Sequence, residues 1–456
     1  MGLTDSVAKF ITTVTYEDFP QKAVFAARHG IIDCIACALA GSKEQLADIL
    51  VGFAQDNGGG QAATVIGRSF KTSAPMAAFV NGAMGHALDY DDITHFLKGH
   101  PSVVCLPPAL AVGEAVGASG RDAMLAYMIA FEVSSAIGSG MSVDYADDLG
   151  WHPTGPLGTL AAAAAASRLL GLNQEQTAMA ISLAGSNACG LRENFGTMTK
   201  PFHAGNAARG GVTAAMLVKR GYTASTTGLE GRYGFMHAFS GGRGEDVNKP
   251  LERLGKQFYL EQPGVDIKKY PCCGSTHKPL DAYFLLRKEQ PVDYREVDSV
   301  EVLVDFDPPR SLIHSDPHTA LEGKFSLQYC LAAALVDDKV GLAQFEDTQV
   351  MRPEVRALIP KITMKRNPGQ EGKPSWQEAS NEVRIKLKSG EVMSKSVRRD
   401  YDGPVIGVTP EGMDMKFRDC AALALPKAKA NEALEILHNL EKQPNVNALM
   451  TAVSGK

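Results

Sequence analysis

The apolar pattern changes twice along the chain, and this limits the possible architectures more than any other feature. Up to about residue 265, apolar residues recur at spacings of three and four, as in Val24–Gly41, which predicts helices. Alternation then appears in Val300–Val304 and Val383–Leu387 and predicts strands, before a helical pattern returns after residue 403. We therefore expect a mainly α protein: a large helical domain (1–265 plus 403–456) with a smaller inserted α+β domain (266–402).

The predicted helices of the first part are rich in Ala, Gly and Met, which lets helices approach closely. They are Met76–Leu88, Leu106–Val116, Arg121–Gly138, Gly158–Leu170, Gln174–Gly185 and Ala207–Lys219. Further helices are expected at Lys278–Lys288, Ser326–Val336, Met413–Ala424 and Asn431–Leu440, and a return strand at Val392–Val397. No GxGxxG follows a strand, so we expect no dinucleotide fold.

Composition excludes several classes of partner. Of the 456 residues, 45% are hydrophobic and 21% charged, and the net charge is −5, which is ordinary for a soluble enzyme and argues against nucleic acid. The apolar runs Leu125–Phe131 and Ala161–Ala166 are too short to span a membrane, and the N-terminus does not have the pattern of a signal peptide. The eight cysteines, including Cys34 and Cys37, mostly lie in apolar sequence and are expected to be reduced core residues. We expect a cytoplasmic protein.

Acids and imidazoles are concentrated between Gly82 and Pro107. This stretch holds Asp89, Asp91, Asp92, Thr94, His95 and His100 between apolar flanks. Acids and imidazoles on a buried scaffold suggest a catalytic pocket, because burial and nearby charges shift pKa values. The alternative is a solvated helix junction capped by acids.

Lys200 and His203 lie in a second polar stretch, TMTKPFHAG. Pro201 disfavours a helical conformation for Lys200, so we expect an extended lysine just before a helix beginning near Gly205. An ammonium at a helix start can bind a carboxylate, and a desolvated lysine can exchange a proton. The alternative is a surface lysine.

Two further histidines each precede a proline: His100 in KGHPS and His152 in GWHPTG. A histidine on such a rigid, non-helical segment near carboxylates suits general acid–base chemistry near neutral pH. The alternative is an imidazole hydrogen-bonded to the backbone of a turn. A last polar stretch, KKYPCCGSTHKPLDA, contains Lys268, Cys273 and His277.

The four stretches together, in order and spacing, resemble the MmgE/PrpD family over nearly the whole chain. This family includes 2-methylcitrate dehydratases, cis-aconitate decarboxylases and iminodisuccinate epimerases. The resemblance implies a helical domain with an α+β insertion, an active site in the cleft between them and a homodimer. It also implies metal-independent chemistry without cofactors on a small di- or tricarboxylate.

The resemblance also implies roles for individual residues. Positions that match the pocket of cis-aconitate decarboxylases are Asp89, Thr94, His100, His152, Lys200, Lys268 and Tyr329. Relative to the family's pattern, this sequence has an extra residue, Ile93, directly before Thr94. Cys273 stands where the decarboxylases have a pocket histidine, and His277 matches the later histidine of the family's C-G-x-T-H motif. The alternatives for Lys268 and Tyr329 are a surface lysine and a core tyrosine.

Two more side chains are candidates on chemical grounds. The phenol of Tyr145 could donate a proton opposite Lys200, although Asp144, Asp147 and Asp148 beside it fit an exposed acidic loop equally well. The guanidinium of Arg192 could bind a carboxylate bidentately or could lie on a surface helix. We therefore take Lys200, His100, His152, Asp89 and Tyr145 as catalytic candidates. The substrate-binding candidates are Thr94, His203, Lys268, Cys273, His277, Tyr329 and Arg192.

No metal site is expected. The DYDD sequence lacks the spaced acids of an EF-hand loop, and no HExxH occurs. His314 and His318 have helical ligand spacing, but Pro317 between them favours a turn.

The predicted chemistry is proton transfer at a carbon next to a carboxylate. Loss of a β-hydroxyl gives dehydration, return of the proton to the other face gives epimerisation, and loss of CO2 gives decarboxylation. We favour a hydro-lyase of the 2-methylcitrate dehydratase type. The alternatives are an iminodisuccinate-type epimerase, a cis-aconitate decarboxylase and a non-catalytic metabolite-binding homologue.

Overall fold

A computed structural model describes residues 2–142, 144–369, 379–398 and 403–455. The chain divides into two compact units. The first unit comprises Met1–Glu193, Thr199–Ile267 and Gly403–Lys456, and the second comprises Asn194–Met198 and Lys268–Asp402.

Helices dominate the described residues. In chain order the α-helices are α1 Leu3–Thr13, α2 Gln21–Gly41, α3 Gln45–Asp56, α4 Ala74–His86, α5 Ser102–Val116, α6 Gly120–Gly140, α7 Asp144–Asp147, α8 Pro156–Leu169, α9 Gln174–Asn187, α10 Thr199–Lys219, α11 Phe235–Phe239, α12 Lys249–Arg253, α13 His277–Glu289, α14 Ala320–Gly323, α15 Leu327–Asp337, α16 Asp347–Val350, α17 Pro353–Leu358, α18 Pro410–Ala421, α19 Lys427–His438 and α20 Asn447–Ala452. The 3-10 helices are Tyr16–Asp18, Arg192–Asn194, Gly274–Thr276, Tyr294–Glu296, Leu342–Gln344, Ile359–Lys361 and Leu440–Lys442. The strands are β1 Ala63–Thr64, β2 Lys71–Thr72, β3 Val265–Asp266, β4 Val297–Val304, β5 Ile362–Arg366, β6 Asn381–Leu387, β7 Val392–Val397 and β8 Val405–Ile406.

The mainly α class is confirmed, but several predicted helix starts are shifted, and the largest shift affects Lys200. Helix α10 begins at Thr199, eight residues before the predicted start at Ala207, so Lys200 is helical rather than extended. Pro201 is tolerated because it lies in the first turn, where its missing N–H has no intrahelical acceptor to lose. The buried contacts of Lys200, described below, further fix this conformation.

Small residues bring the helices of the first unit into close contact. Helices α4 and α10 meet at Gly205, where a Cβ would lie 2.3 Å from the carbonyl oxygen of Phe79. Alanines on both helices, including Ala78 and Ala208, are fully buried in the same apolar cluster. This packing places the last residue of α4 beside the first turn of α10.

Two helices of the first unit, α2 and α6, have the length and apolar composition of a membrane span. Their apolar windows are 83% and 94% buried inside the protein. This burial identifies both as core helices of the first unit.

The second unit is built on a four-stranded sheet in the order β5-β4-β6-β7. Strand β4 pairs parallel with β5 and antiparallel with β6, and β6 continues into β7 as a hairpin. Gly390 adopts φ 90° in that hairpin, a conformation that favours glycine. The apolar face of the sheet shares one core with residues of α13 and α15, such as Leu280 and Leu331.

Candidate active site

The centre of the candidate site begins where α4 ends. His86 is the last residue of α4, and Asp89 follows in a left-handed conformation at φ 50°, which aspartate tolerates better than most residues. The chain then turns sharply within the first unit. The side chains of Asp89, Asp91 and His100 are all buried, which excludes the solvated helix junction.

Asp91 joins two histidines through one carboxylate. Its oxygens lie 2.9 Å from Nδ1 of His86 and 2.9 Å from Nδ1 of His100. Since a carboxylate only accepts, Nδ1 of His86 carries a proton and donates it to Asp91, and the close approach of Nδ1 of His100 to the other oxygen requires a proton on that nitrogen as well. This fixes the Nδ1–H tautomer and the orientation of both rings, whose centroids are 4.2 Å apart.

Lys200 completes the cluster from the first turn of α10. Its ammonium lies 2.6 Å from Oδ1 of Asp89 and 2.7 Å from Nε2 of His86. Because the ammonium can only donate, Nε2 of His86 must be the unprotonated acceptor, in agreement with the tautomer set by Asp91. Lys200 is only 4% exposed, so it is not the surface lysine of the alternative interpretation.

The charges in the cluster are set by burial and by these contacts. Burial lowers the pKa of His86 to about 3, with Lys200 adding to the effect, so His86 is neutral near pH 7. Burial alone would raise the pKa of Asp91, but His100 and His86 hold it well below its usual value. The cluster therefore combines the ammonium of Lys200, two imidazoles, of which that of His86 is neutral, and the carboxylates of Asp89 and Asp91.

His152 and His203 form a second imidazole pair beside the first. Their Nδ1 atoms are 3.1 Å apart, so one must donate and the other accept. Burial, followed by the charge of Lys200, lowers the pKa of His152 well below its usual value and that of His203 to about 4. The ring of His152 stacks on that of His86 at a centroid distance of 5.7 Å.

The segment that carries His100 is fixed by a close backbone approach. The main-chain N–H of His100 donates to Oγ1 of Thr154 across 3.2 Å. A Cβ on Gly99 would lie 2.6 Å from the same oxygen, so only glycine fits there. The His100 and His152 segments are thus joined through Thr154, which lies two residues after His152.

A second layer of buried polar residues contacts the segment Tyr90–Asp92. Asp92 accepts from the hydroxyl of Ser102, which also contacts the hydroxyl of Tyr127 at 2.8 Å. Lys416 of α18 donates to the main-chain carbonyl of Tyr90 at 2.7 Å and lies 2.6 Å from Oδ1 of Asp33. Ser102 of α5 therefore fixes the side chain of Asp92, and Lys416 of α18, paired with Asp33 of α2, fixes the carbonyl of Tyr90.

The charged groups of this layer show the cost of burial. Burial raises the pKa of Asp33 to about 6, against the opposing effect of Lys416, and raises that of Asp92 well above its usual value. Burial alone would lower the pKa of Lys416, but Asp33 holds it above its usual value. The free-energy cost of burying two such charges is offset only while both partners of the ion pair are present.

Two predicted residues of the first unit, Thr94 and Arg192, hydrogen-bond to main-chain carbonyls, and a third, Tyr145, is buried. The hydroxyl of Thr94 donates to the carbonyl of Gly264 at 3.1 Å, and Arg192 donates to the carbonyl of Ala146 at 2.6 Å. Arg192 is half-buried, and Tyr145 is fully buried, so the exposed acidic loop is the wrong interpretation for Tyr145. Burial alone accounts for the raised pKa of Tyr145, which gives no sign of a charged neighbour among the described residues.

The remaining predicted residues belong to the second unit. Lys268 is 1% exposed, so the surface-lysine alternative is wrong. Nε2 of His277 lies 3.3 Å from the carbonyl oxygen of Cys272, and the main-chain N–H of the half-buried Cys273 donates to Lys324. The hydroxyl of Tyr329 donates to the carbonyl of Gln344, which agrees with the alternative of a core tyrosine.

Two overlapping groups of buried side chains bring possible metal-ligand atoms close together. Ligand atoms of His86, Asp89, Asp91 and His100 lie within 4.8 Å of one another, as do those of His86, His100 and His152. Sequence spacing could not reveal either set, because the chain turn and the packing of separate segments bring these atoms together. The eight cysteines are free thiols, six of them buried, and Cys189 is exposed.

Two central residues were not among the sequence candidates. His86 was missed because it ends a helix of small apolar residues, where a core histidine is the ordinary interpretation. Asp91 was noted in the acidic stretch but not given a role. The spacing of five residues between the two, across a helix end, is the signal that could have paired them.

The cluster has the components for proton transfer beside a carboxylate. Lys200 supplies a buried positive charge that attracts an anion, and its acceptors Asp89 and His86 hold it in position. Nδ1 of His100 faces Asp91, so Nε2 is the ring atom that could exchange a proton with a ligand. Nε2 lies 3.5 Å from Oδ1 of Asp89, close enough for that charge to stabilise an imidazolium.

Comparison with known proteins shows the family of this chain. The MmgE/PrpD N-terminal domain matches residues 5–248, and the MmgE/PrpD C-terminal domain matches residues 270–442. Cis-aconitate decarboxylase of Homo sapiens is 27% identical over 467 residues, covering 100% of this chain and 95% of the human protein. The mouse enzyme is 28% identical, covering 100% and 94%, and that of Aspergillus terreus is 27% identical, covering 98% and 95%. The chain belongs to the MmgE/PrpD family.

Proposed function

We propose that this protein is a lyase that acts on a small di- or tricarboxylate by acid–base chemistry, without a cofactor. The observation that carries the proposal is the buried ammonium of Lys200 between the Asp89 carboxylate and the neutral His86. A buried cation supplies the charge stabilisation that a metal ion would provide in other lyases. The substrate carboxylate binds next to this cation.

In the proposed mechanism Lys200 and His100 have different tasks. The ammonium of Lys200 stabilises negative charge on the substrate, both in the bound carboxylate and in the carbanion that forms beside it. Nε2 of His100 exchanges the proton with the substrate carbon, and Asp91 holds the ring in the required tautomer. Asp89 balances the charge of Lys200 and stabilises His100 when it is protonated.

Decarboxylation of a cis-aconitate-type substrate is the first candidate reaction. The C–C bond to one carboxylate breaks, its electron pair remains on the substrate carbon, CO2 leaves and a proton from the enzyme is added to that carbon. Support comes from the relatives, which are cis-aconitate decarboxylases aligned over nearly their full length.

Dehydration of a 2-methylcitrate-type substrate is the second candidate. A base removes the proton next to a carboxylate, and the β-hydroxyl leaves as water after protonation. Cys273 supports considering it, because it stands where the family resemblance places a pocket histidine of the decarboxylases and so counts against a decarboxylase specialised like the animal enzyme.

One experiment separates these reactions. The protein is incubated in D2O with cis-aconitate, racemic 2-methylcitrate or iminodisuccinate and followed by NMR. Loss of CO2 from cis-aconitate supports the first candidate and loss of water from 2-methylcitrate the second. Deuterium incorporation into iminodisuccinate without net turnover would show an epimerase instead. Binding without exchange or turnover would contradict an enzymatic function.

We also propose that the protein acts as a cytoplasmic homodimer that binds neither nucleic acid nor membrane. The acidic net charge of −5 supports the absence of nucleic acid. Light scattering of the purified protein tests the dimer: a mass near 97 kDa, twice the 48.6 kDa of one chain, is expected, and a monomer mass would contradict it.

A further inference from the structure

We propose that His86, Asp89 and His100 form a binding site for a divalent transition-metal ion, Zn²⁺ or Co²⁺, which displaces the Lys200 ammonium and inhibits the enzyme. This inference goes beyond the proposed function, since the ion is an inhibitor and takes no part in the reaction.

The first observation is the spacing of the ligand atoms. Oδ1 of Asp89 lies 3.5 Å from Nε2 of His100, which is long for a hydrogen bond. In a tetrahedral zinc site with bonds of about 2.1 Å, neighbouring ligand atoms are separated by about 3.4 Å. The separation of these two atoms therefore fits one edge of such a site with almost no movement.

The third ligand atom is identified by the ammonium of Lys200. Its Nζ lies 2.7 Å from Nε2 of His86 and 2.6 Å from Oδ1 of Asp89. A cation thus already occupies the space between an unprotonated imidazole nitrogen and a carboxylate oxygen. Two imidazoles and a carboxylate are a common ligand set for zinc, and a fourth position remains for water or a substrate oxygen.

The second observation is the role of Asp91. The oxygens of one carboxylate lie 2.9 Å from Nδ1 of His86 and 2.9 Å from Nδ1 of His100. In metal sites a carboxylate at this position fixes the tautomer of the ligating histidine and increases its basicity. Here it aims the Nε2 atoms of both rings toward the same region as Asp89.

Competition with Lys200 determines the consequence of binding. An ammonium and a metal ion cannot both contact Nε2 of His86 and Oδ1 of Asp89, because two cations would then lie within bonding distance of the same atoms. Metal binding therefore requires Lys200 to leave its position. Since Lys200 provides the positive charge of the proposed mechanism, the metal-bound protein is inactive.

The test uses cobalt, whose visible absorption reports its coordination. Metal-free wild type and Lys200→Met are titrated with Co²⁺, and Zn²⁺ is then added as a competitor. One ion per chain is expected in both proteins, with binding at least about tenfold tighter in Lys200→Met because the competing charge is removed. Asp91→Asn should weaken binding by about 10–100-fold.

Two further variants distinguish this site from surface binding. His86→Ala and Asp89→Asn each remove one ligand and should abolish the cobalt spectrum, whereas His237→Ala, which changes an exposed histidine, should leave it unchanged. Circular dichroism confirms that each variant is folded. The proposal is contradicted if Lys200→Met binds no cobalt or binds it no more tightly than wild type. It is also contradicted if both ligand variants keep the spectrum. No readout depends on the substrate, so failure here is separate from failure of the proposed function.

Discussion

Nε2 of His86 accepts a hydrogen bond from the ammonium of Lys200 across 2.7 Å, although 114 residues separate them in the chain. The contact requires His86 to be neutral, and burial keeps it so by lowering its pKa to about 3. His86 is thus a positioning residue that holds the ammonium of Lys200.

His86→Ala should therefore lower turnover even though His86 need not touch the substrate. Without its acceptor, the ammonium loses one of the contacts that fix its position, and misplaced groups cost up to about 100-fold in rate. His86→Gln, which can keep an acceptor oxygen, should recover part of the loss. Steady-state kinetics on the identified substrate are the measurement. His237→Ala serves as the matched control, and equal rates for His86→Ala and this control would exclude the positioning role.

The ion pair between Asp33 and Lys416 should stabilise the site through the backbone of Tyr90. Lys416→Met leaves the buried Asp33 carboxylate without its counterion, and we expect a loss of about 3–5 kcal/mol in the free energy of unfolding. The double variant Asp33→Asn/Lys416→Met should recover most of that loss, because no uncompensated charge remains.

Urea denaturation of the single and double variants measures both effects. The double variant should remain less active than wild type, since the carbonyl of Tyr90 has still lost its donor. A double variant as unstable as Lys416→Met would show that charge pairing is not the cause.

His203 should make stability depend on pH. Its pKa is lowered to about 4 by burial in the folded protein, below the usual value of 6.5 in an unfolded chain. The folded state therefore binds fewer protons, and the stabilising contribution is present above pH 6.5 and is lost as the pH falls toward 4. The loss is at most about 1.4 kcal/mol per pH unit.

The comparison is between wild type and His203→Asn by urea denaturation at pH 7, 6 and 5. The difference in unfolding free energy between the two proteins should shrink as the pH falls, because only in wild type does the unfolded chain bind a proton at position 203 that the folded protein does not bind. A difference that is constant over this range would show that the pKa of His203 is not lowered.

Removal of metal should leave activity unchanged. Lys200 already supplies the positive charge between Asp89 and His86, so the proposed chemistry needs no metal ion. Activity is measured after prolonged EDTA treatment and buffer exchange. Loss of activity that a single divalent cation restores would overturn the mechanism.

Much of the fold could be predicted because local pattern and tertiary packing agree. The small-residue helix at 76–88 and the strands at 300–304 and 383–387 formed close to their predicted bounds. Each has a buried face, and the periodicity of its apolar residues in the sequence predicts that face. The burial of the acidic stretch was likewise indicated by its apolar flanks.

The arrangement of the site could not be predicted, because it depends on contacts between distant segments. The pairing of His86 with Lys200 requires α4 to pack against α10, and the support of Tyr90 by Lys416 joins positions 326 residues apart. The start of α10 was mispredicted because the local bias of Pro201 was outweighed by burial and ion pairing of Lys200. No local pattern encodes these energies.

Burial also changes what is expected of substitutions at the centre of the site. Lys200 and His100 are 4% and 7% exposed, so both belong to the protein interior. Lys200→Ala leaves the Asp89 carboxylate buried without its ion pair and should reduce stability. Kinetic tests must therefore be made at a temperature where circular dichroism shows each variant to be folded.

The most direct test of the mechanism is the turnover of folded Lys200→Ala and His100→Ala on the substrate identified by NMR. Lys200→Ala should lower kcat and raise KM together, because the ammonium binds the carboxylate and stabilises the carbanion. His100→Ala should mainly lower kcat, by about 10²–10⁴-fold, as for a lost general acid or base. Near-normal turnover in both folded variants would contradict the account and place the chemistry elsewhere in the protein.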